Sequence, residues 1–296
     1  MQKQYFYHAA RGTLSMTDLS DKVLIQPSDL HSLISEQRLS LVRVKMQNPA
    51  DGSADDSADY LPGSVSLDLD EQGSDRHSSL PHTLPSAQTL AILFGKLGIS
   101  MQTPVVIYDN RGQFCAARVY WMLQASGHNN VRLLDGGLPA WRDSGYFTNC
   151  EPVIPPRRQF EAVSEAGWFV DADTVSQAMA RGGQIVDARG PARFSGREPD
   201  PREGVRAGHI PGSVNIHYRD VLDNNGKFQP VEVLSKIFEN KKIDLSEPVI
   251  CTCGSGITAC IIAVAMTLGG ARNVSVYDGS WAEWGADLSR PVETGQ

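Results

Sequence analysis

The sequence has no long hydrophobic run and no excess of positive charge. No segment approaches the roughly 18 consecutive apolar residues that a membrane-spanning helix requires, and residues 1–20 lack the basic, apolar and small-residue zones of a signal peptide. The formal net charge is −7 and the arginines are scattered, whereas nucleic-acid binding requires a clustered positive face. We therefore expect a cytoplasmic protein whose partners include neither a membrane nor a nucleic acid.

Cysteine is also scarce, and its spacing argues against a disulfide framework. The chain has five cysteines, an odd number, and disulfides among Cys251, Cys253 and Cys260 would close only very short loops. No second Cys or His pair stands at zinc-binding spacing beside Cys251 and Cys253, and no glycine-rich phosphate-binding fingerprint occurs in the right context. We predict free thiols, no metal and no cofactor.

The two halves of the chain resemble each other. They align at an offset of about 144 residues, and self-similarity at a fixed offset indicates a repeated structural unit. Residues 104–109 match 248–253, so Asp109 stands in the first half where Cys253 stands in the second. Residues 41–44, 61–65 and 135–141 match 184–188, 210–214 and 278–284, in the same order. These ordered matches predict two related domains.

A proline-rich stretch separates the halves. Residues 148–167 lack clear periodicity, which predicts an extended linker. The first domain then spans residues 20–147, and the second spans residues 168–293. Within the first domain, the segment 51–82 is rich in Asp, Ser and Gly, and we predict that it is a long surface excursion.

Strand-like and helical patterns alternate within each half. A short apolar run at residues 105–108 is followed by a helical pattern at 116–126, and the same order recurs at 249–252 and 258–268. Strands separated by helices favour an α/β fold. We therefore predict that each domain contains a parallel sheet covered by helices on both faces.

The segment 249–259 has the order of an apolar strand, a short loop and an apolar helix. A loop that enters a helix N-terminus directs backbone N–H groups inward, and the helix dipole adds positive charge there. Cys253 begins this loop, so its thiolate would be stabilised and reactive, and Gly254 and Gly256 would allow unusual backbone angles. The alternative is that Cys253 is a small buried residue and that the glycines only make a turn.

Two neighbouring features narrow the chemistry of this loop. Cys251 lies in the strand and Cys260 in the helix, so we predict that both are core residues. Cysteine phosphatases close a comparable loop with an arginine about six positions after the nucleophile, because a guanidinium holds a phosphate in bidentate fashion. Ala259 stands at that position here, which disfavours phosphoryl transfer.

Three motifs together carry a family resemblance. Residues 208–212, 253–258 and 278–284 resemble the tandem-domain rhodanese family, and the resemblance extends over residues 24–292. It implies two similar α/β domains, of which the N-terminal copy is inactive. It also implies that Cys253, in the C-terminal copy, alternates between a thiolate and a persulfide.

Within this family, the chain resembles the sulfurtransferases that use 3-mercaptopyruvate. Thiosulfate-using relatives have basic residues in the loop, whereas Gly254, Ser255 and Gly256 bring no side-chain charge. The implied reaction moves sulfur from 3-mercaptopyruvate to Cys253, and then to a small thiol, a thioredoxin-like protein or cyanide, with release of pyruvate. A thiosulfate sulfurtransferase and a non-catalytic persulfide or redox-sensing module are the alternatives.

The resemblance also implies a substrate-binding set. Arg193 and Arg202 would hold the donor's carboxylate and keto oxygen, because guanidinium groups bind carboxylates in bidentate fashion. Without the resemblance, both would be interpreted as solvated loop residues. The loop contributes Gly254, Gly256, Ile257 and Thr258 to the same set.

A second implied set moves protons near the reacting sulfur. It consists of Asp70, His82 and Ser255, and a histidine can act in this way near neutral pH. His77 is a rival for the histidine. Arg189 is predicted instead to pair with a carboxylate in its own domain.

Overall fold

The structure contains two five-stranded sheets, each built from parallel strand pairs. The computed structural model describes residues 23–34, 39–48, 52–55 and 57–295. Each sheet draws its strands from one half of the repeat. This confirms the predicted α/β fold with two parallel-sheet units. Over these described ranges, no helix combines the length and the apolar character needed to cross a membrane.

The first sheet is centred on a fully buried strand. Its strands are β1 (Leu24–Ile25), β2 (Ser40–Lys45), β3 (Ser64–Asp68), β4 (Val105–Tyr108) and β5 (Val131–Leu134). The accompanying helices are α1 (Pro27–Ile34), α2 (Ala87–Lys96), α3 (Ala116–Ala125) and α4 (Gly137–Asp143). The strand order is β1-β5-β4-β2-β3. β4 therefore lies in the middle, and its burial along the whole strand is typical of a parallel sheet covered on both faces.

The second sheet repeats this arrangement. Its strands are β6 (Phe169–Val170), β7 (Gln184–Asp187), β8 (Val214–Asn215), β9 (Val249–Thr252) and β10 (Val274–Tyr277). The helices are α5 (Ala172–Ala180), α6 (Pro191–Phe194), α7 (Val231–Asn240), α8 (Thr258–Leu268) and α9 (Ser280–Trp284), with a 3₁₀ turn at Tyr218–Val221. The strand order β6-β10-β9-β7-β8 places β9 in the middle, as β4 is in the first sheet.

The two halves share a core and exchange hydrogen bonds. α3 packs against α8, and one continuous cluster of buried side chains draws on both halves. The Leu84 N–H donates to Asp278 at 2.9 Å, and the Phe228 N–H donates to Asp135 at 3.1 Å. Because Asp135 and Asp278 occupy equivalent positions of the repeat, each half holds a segment of the other in a similar way.

The segment 51–82 is not wholly the surface excursion that we predicted. It contains β3, in which Val65 and Leu67 are buried, and its C-terminal part reaches the second half of the chain. The prediction was wrong because polar residues flank and interrupt a strand that buries its apolar side chains. The strands predicted at 105–108 and 249–252 form with those bounds.

Candidate active site

The loop between β9 and α8 begins at Cys253, which is only 2% exposed. Its start is held by α9, the helix that follows the adjacent strand β10. The Cys253 N–H donates to Ser280 Oγ at 3.2 Å. The carbonyl oxygens of Cys253 and Gly254 accept from Trp281 N at 3.0 Å and Ala282 N at 2.9 Å. These bonds fix the point at which the Cys253 side chain leaves the sheet.

Glycine is required at position 256 for two reasons. Gly256 has a φ of +77°, a left-handed conformation that costs a residue with a side chain about 1–2 kcal/mol. A Cβ atom there would also lie 3.0 Å from both Arg118 Nη1 and the Asp278 carbonyl oxygen. Ile257 is buried, and Thr258 is the half-buried first residue of α8. The loop therefore turns directly into a helix N-terminus, where backbone N–H groups lack intrahelical partners.

A hydrogen-bonded chain crosses from the first half of the molecule to this loop. Ser255 Oγ lies 2.8 Å from His82 Nδ1, and His82 Nε2 lies 3.0 Å from Asp70 Oδ1. An ionised carboxylate can only accept, so Nε2 carries the proton of a neutral His82 and Nδ1 accepts from the Ser255 hydroxyl. This arrangement allows a proton to move between Ser255 and His82.

Asp70 is held in its ionised form. Burial opposes the charge on its carboxylate, but hydrogen bonds from His82 and from the Gln47 N–H, the latter at 2.9 Å, outweigh that effect and lower the pKa of Asp70. The carboxylate in turn fixes the orientation and the tautomer of His82. His77 is exposed, and its backbone N–H donates to Asp75 Oδ1. The structure therefore places His82, and not His77, against the loop.

The two predicted substrate arginines lie in different surroundings. A Cβ atom on Gly254 would be 3.5 Å from Arg202 Nη1, so this guanidinium lies beside the loop. Asp200 Oδ1 orients it by accepting from both Arg202 N at 3.0 Å and Arg202 Nη1 at 3.2 Å. Arg193 lies in α6 and is half-buried. Across the described residues, no hydrogen bond or ion pair joins Arg193 to the loop.

Cys251 and Cys260 are core residues, as predicted. Cys251 lies in β9 and Cys260 in α8, and both are fully buried. Burial raises the pKa of Cys260 to about 12 and raises the pKa of Cys251 well above its ordinary value. Neither of these two thiols is therefore ionised near neutral pH. Of the three cysteines in this region, Cys253 is the one that stands in the loop before α8.

The equivalent loop of the first half has a carboxylate instead of a thiol. Asp109 follows β4 and is buried. Its Oδ2 accepts from Cys115 N at 2.8 Å and Ala116 N at 2.9 Å, and its Oδ1 accepts from Arg111 N at 2.8 Å. Burial raises the pKa of Asp109 while these hydrogen bonds oppose the rise. The first half therefore contains an anion site that is filled by its own side chain.

Other residues near the loop were either predicted in outline or missed. Arg189 pairs with Asp187, with 2.7 Å between Nη2 and Oδ2, which confirms the predicted partner in its own domain. Arg118, Asp278 and Ser280 were not predicted as site residues. A signal for Arg118 was present, because it is the only charged residue among the mostly apolar residues that form α3.

A family model for the rhodanese-like domain matches residues 29–144 and 171–287. The Homo sapiens protein named 3-mercaptopyruvate sulfurtransferase is 41% identical over 228 residues, which cover 76% of each chain. The Gallus gallus protein named thiosulfate sulfurtransferase is 39% identical over 231 residues, which cover 76% of this chain and 78% of that protein. The crystal structure of SseA from Escherichia coli, whose description refers to 3-mercaptopyruvate sulfotransferases, superposes with a TM-score of 0.79 at 29% identity, covering 87% of this chain and 98% of its own.

Proposed function

Because this chain belongs to the rhodanese family and is a sulfurtransferase, we propose that it transfers sulfur from 3-mercaptopyruvate through a persulfide on Cys253. The observation that carries this proposal is the hydrogen-bonded series Ser255–His82–Asp70, with distances of 2.8 and 3.0 Å, which lies against a loop without charged side chains. A donor with a single carboxylate suits this uncharged loop. Sulfur transfer from 3-mercaptopyruvate also requires a proton to reach carbon, which the Ser255–His82–Asp70 series can deliver.

The first half-reaction loads the sulfur. The Cys253 thiolate attacks the donor's sulfur, and the carbon–sulfur bond breaks with its electron pair on carbon. The proton of the donor's thiol passes to the Ser255–His82 pair and then to that carbon, so pyruvate leaves with no net gain or loss of protons. The persulfide that remains on Cys253 is anionic, and backbone N–H groups at the N-terminus of α8 stabilise it.

The second half-reaction unloads the sulfur. A thiolate, from a small thiol or a thioredoxin-like protein, attacks the outer sulfur of the persulfide. The sulfur–sulfur bond breaks, and its electron pair returns to Cys253 Sγ. Cyanide acts as the acceptor in the same way and forms thiocyanate. Two half-reactions that share one covalent intermediate give ping-pong kinetics.

Arg202 and Arg193 are the proposed anchors of the donor. The Arg202 guanidinium lies beside Gly254 and is oriented by Asp200, which supports a role in binding the carboxylate. Arg193 follows β7 on the short helix α6, and we assign it the keto oxygen. Holding both ends of the donor would orient its sulfur for attack, which is worth several orders of magnitude in rate.

Thiosulfate is the second candidate donor. It is favoured by the likeness to the protein named thiosulfate sulfurtransferase. Thiosulfate is a dianion, however, and the loop offers it no basic side chain in Gly254, Ser255 or Gly256. The choice of donor therefore depends on whether Arg193 and Arg202 are sufficient to hold two negative charges.

Domain boundaries and cellular compartment are part of the same proposal. Family matches at residues 29–144 and 171–287 support domains at 20–147 and 168–293 with a linker at 148–167.

The free thiols support a cytoplasmic location, because disulfides are rare in the reducing conditions of the cytoplasm.

The proposal is tested by mass spectrometry of the intact protein and of its peptides. Reduced protein is exposed briefly to 3-mercaptopyruvate or to thiosulfate, in separate samples without acceptor. We expect one added sulfur on the Cys253 peptide, with faster loading from 3-mercaptopyruvate. Faster loading from thiosulfate would replace the donor, and no loading from either would favour a non-catalytic module.

A further inference from the structure

Arg118 is a fully buried cation to which the proposed chemistry gives no role. It lies in α3 of the first half, and its side chain is 0% exposed. α3 packs against α8, the helix that begins where the Cys253 loop ends. A buried charge is costly unless ion pairs and hydrogen bonds compensate for its lost hydration. The partners of Arg118 therefore indicate what it does.

These partners come from both halves of the molecule. Arg118 Nη2 donates to Asp278 Oδ1 at 2.6 Å and to the carbonyl oxygen of His82 at 2.7 Å. Arg118 Nη1 donates to the carbonyl oxygen of Gly256 at 3.4 Å. The other carboxylate oxygen of Asp278 accepts from the Leu84 N–H at 2.9 Å. One guanidinium thus joins the segment that contains His82 to the middle of the loop.

The backbone of His82 depends on such a restraint. Its φ is +59°, a left-handed conformation that residues with a side chain rarely adopt. The His82 ring is fixed by Ser255 and Asp70, and its carbonyl is fixed by Arg118. Without Arg118, the backbone would lose the charge-assisted bond that holds it in this conformation, and the ring would move relative to Ser255.

The backbone of the loop depends on the same guanidinium. The carbonyl of Gly256 points towards Arg118, and in a trans peptide the following N–H points the opposite way. The N–H of Ile257 is therefore directed away from Arg118. Arg118 also lies 3.0 Å from where a Gly256 Cβ would be, so guanidinium and loop are closely packed.

We infer that Arg118 is a positioning residue for sulfur transfer, because it sets the position of His82 and of the Cys253 loop relative to each other across the two domains. This inference rests on the proposed function. Arg118 acts through His82 and Gly256. Its removal should slow the loading of Cys253 and leave donor binding by Arg193 and Arg202 nearly intact.

The test compares Arg118→Met with a matched control, Arg43→Met. Arg43 is also 0% exposed, pairs with Asp55 at 2.7 Å and lies over the Tyr60 ring at 4.5 Å. It donates to two backbone carbonyls of its own domain. The two variants therefore lose similar buried ion pairs, but only Arg118 contacts the loop and the His82 segment.

The measurements are the single-turnover rate of persulfide formation from 3-mercaptopyruvate, kcat, KM and the thermal midpoint. For Arg118→Met, we expect loading and kcat to fall about 30- to 100-fold, as small misplacements of reacting groups do, with KM within about threefold. Arg118→Lys should recover part of this loss, because it keeps the charge. Arg43→Met should lower the thermal midpoint and load at the parent rate while folded.

Each outcome bears on one claim. Loading by folded Arg118→Met within threefold of the parent would overturn the inference, as would rate losses equal to those of Arg43→Met at equal folded fraction. If Arg118→Met does not fold, Arg118→Lys provides the test, because lysine keeps the charge but lacks the planar fork of donors that reaches both halves. Loading within threefold of the parent by that variant would overturn the inference. If the parent protein itself acquires no sulfur, the proposed function fails instead.

Discussion

The substitution Gly256→Ala would test whether the loop needs its unusual backbone for both stability and sulfur transfer. Gly256 has a φ of +77°, and a Cβ atom there would lie 3.0 Å from Arg118 Nη1 and from the Asp278 carbonyl oxygen. The conformational cost is about 1–2 kcal/mol, and overpacking adds about 1–3 kcal/mol. We therefore expect the free energy of unfolding to fall by about 2–5 kcal/mol.

The matched control is Gly145→Ala. Gly145 has a φ of +75° but no neighbouring atom within 4 Å of a built Cβ, so this change carries only the conformational cost of about 1–2 kcal/mol. Urea unfolding measures both variants, because the midpoint reports stability when the slope is unchanged. The difference between the variants isolates the steric effect at the loop.

The same pair of variants tests the function. Gly256→Ala should load Cys253 about 100-fold more slowly, because displacement of the loop by a few tenths of an ångström to an ångström misaligns the reacting atoms. Gly145→Ala should load at the parent rate. Equal stability of the two variants, together with parent-like loading by Gly256→Ala, would refute the geometry argued for the loop.

Four further predictions concern single residues. Arg202→Met should raise the KM for 3-mercaptopyruvate at least tenfold in steady-state assays, since about 1.4 kcal/mol of lost charge-assisted bonding suffices; an unchanged KM would contradict its assignment. Asp109→Asn should lower the free energy of unfolding by about 2 kcal/mol, because an amide nitrogen cannot accept from the N–H groups that the carboxylate binds, yet leave donor KM unchanged, as urea unfolding and kinetics would show. Asp70 has a lowered pKa, so its stabilisation is present above the ordinary value of 3.8 and is lost as the pH falls through the lower folded value. Between pH 3.8 and that lower value, stability curves of Asp70→Asn should accordingly be less steep than the parent's, and parallel curves would contradict the ionised chain. Native alkylation at pH 8 should label exposed Cys150 and spare Cys260, whose pKa is raised to about 12, and peptide mapping would detect any exception.

The repeat and the strand–helix alternation were sufficient to predict the fold. These signals are local or periodic, so a single sequence displays them. They also located the loop at Cys253, because an apolar strand, two glycines and an apolar helix are adjacent in the chain. The strand β3 was missed, because polar residues surround its few buried side chains, Val65 and Leu67 among them.

The contacts between the two halves could not be predicted from the sequence in the same way. Ser255 and His82 are 173 positions apart, and Arg118 is 160 positions from Asp278. Contacts at such separations follow no period and depend on how the two sheets are packed. The family resemblance supplied His82, whereas Arg118 required the structure, although a lone charge in an apolar helix already indicated a buried partner.

The buried carboxylate of Asp109 has a consequence for how the two copies of the repeated unit differ in function. Tethered to the chain, it remains at a fixed and very high effective concentration beside its three N–H donors, so no diffusing anion can compete for them. The loop of the first half is therefore held in one place by Asp109. His82 and Arg118, which belong to the same half, contact the Cys253 loop of the second half. In the second half, the same kind of site receives its anion once per turnover. The molecule thus contains two equivalent loops. In the first, the Asp109 carboxylate is always bound, and in the second, in the proposed cycle, a persulfide forms and is removed in each turnover.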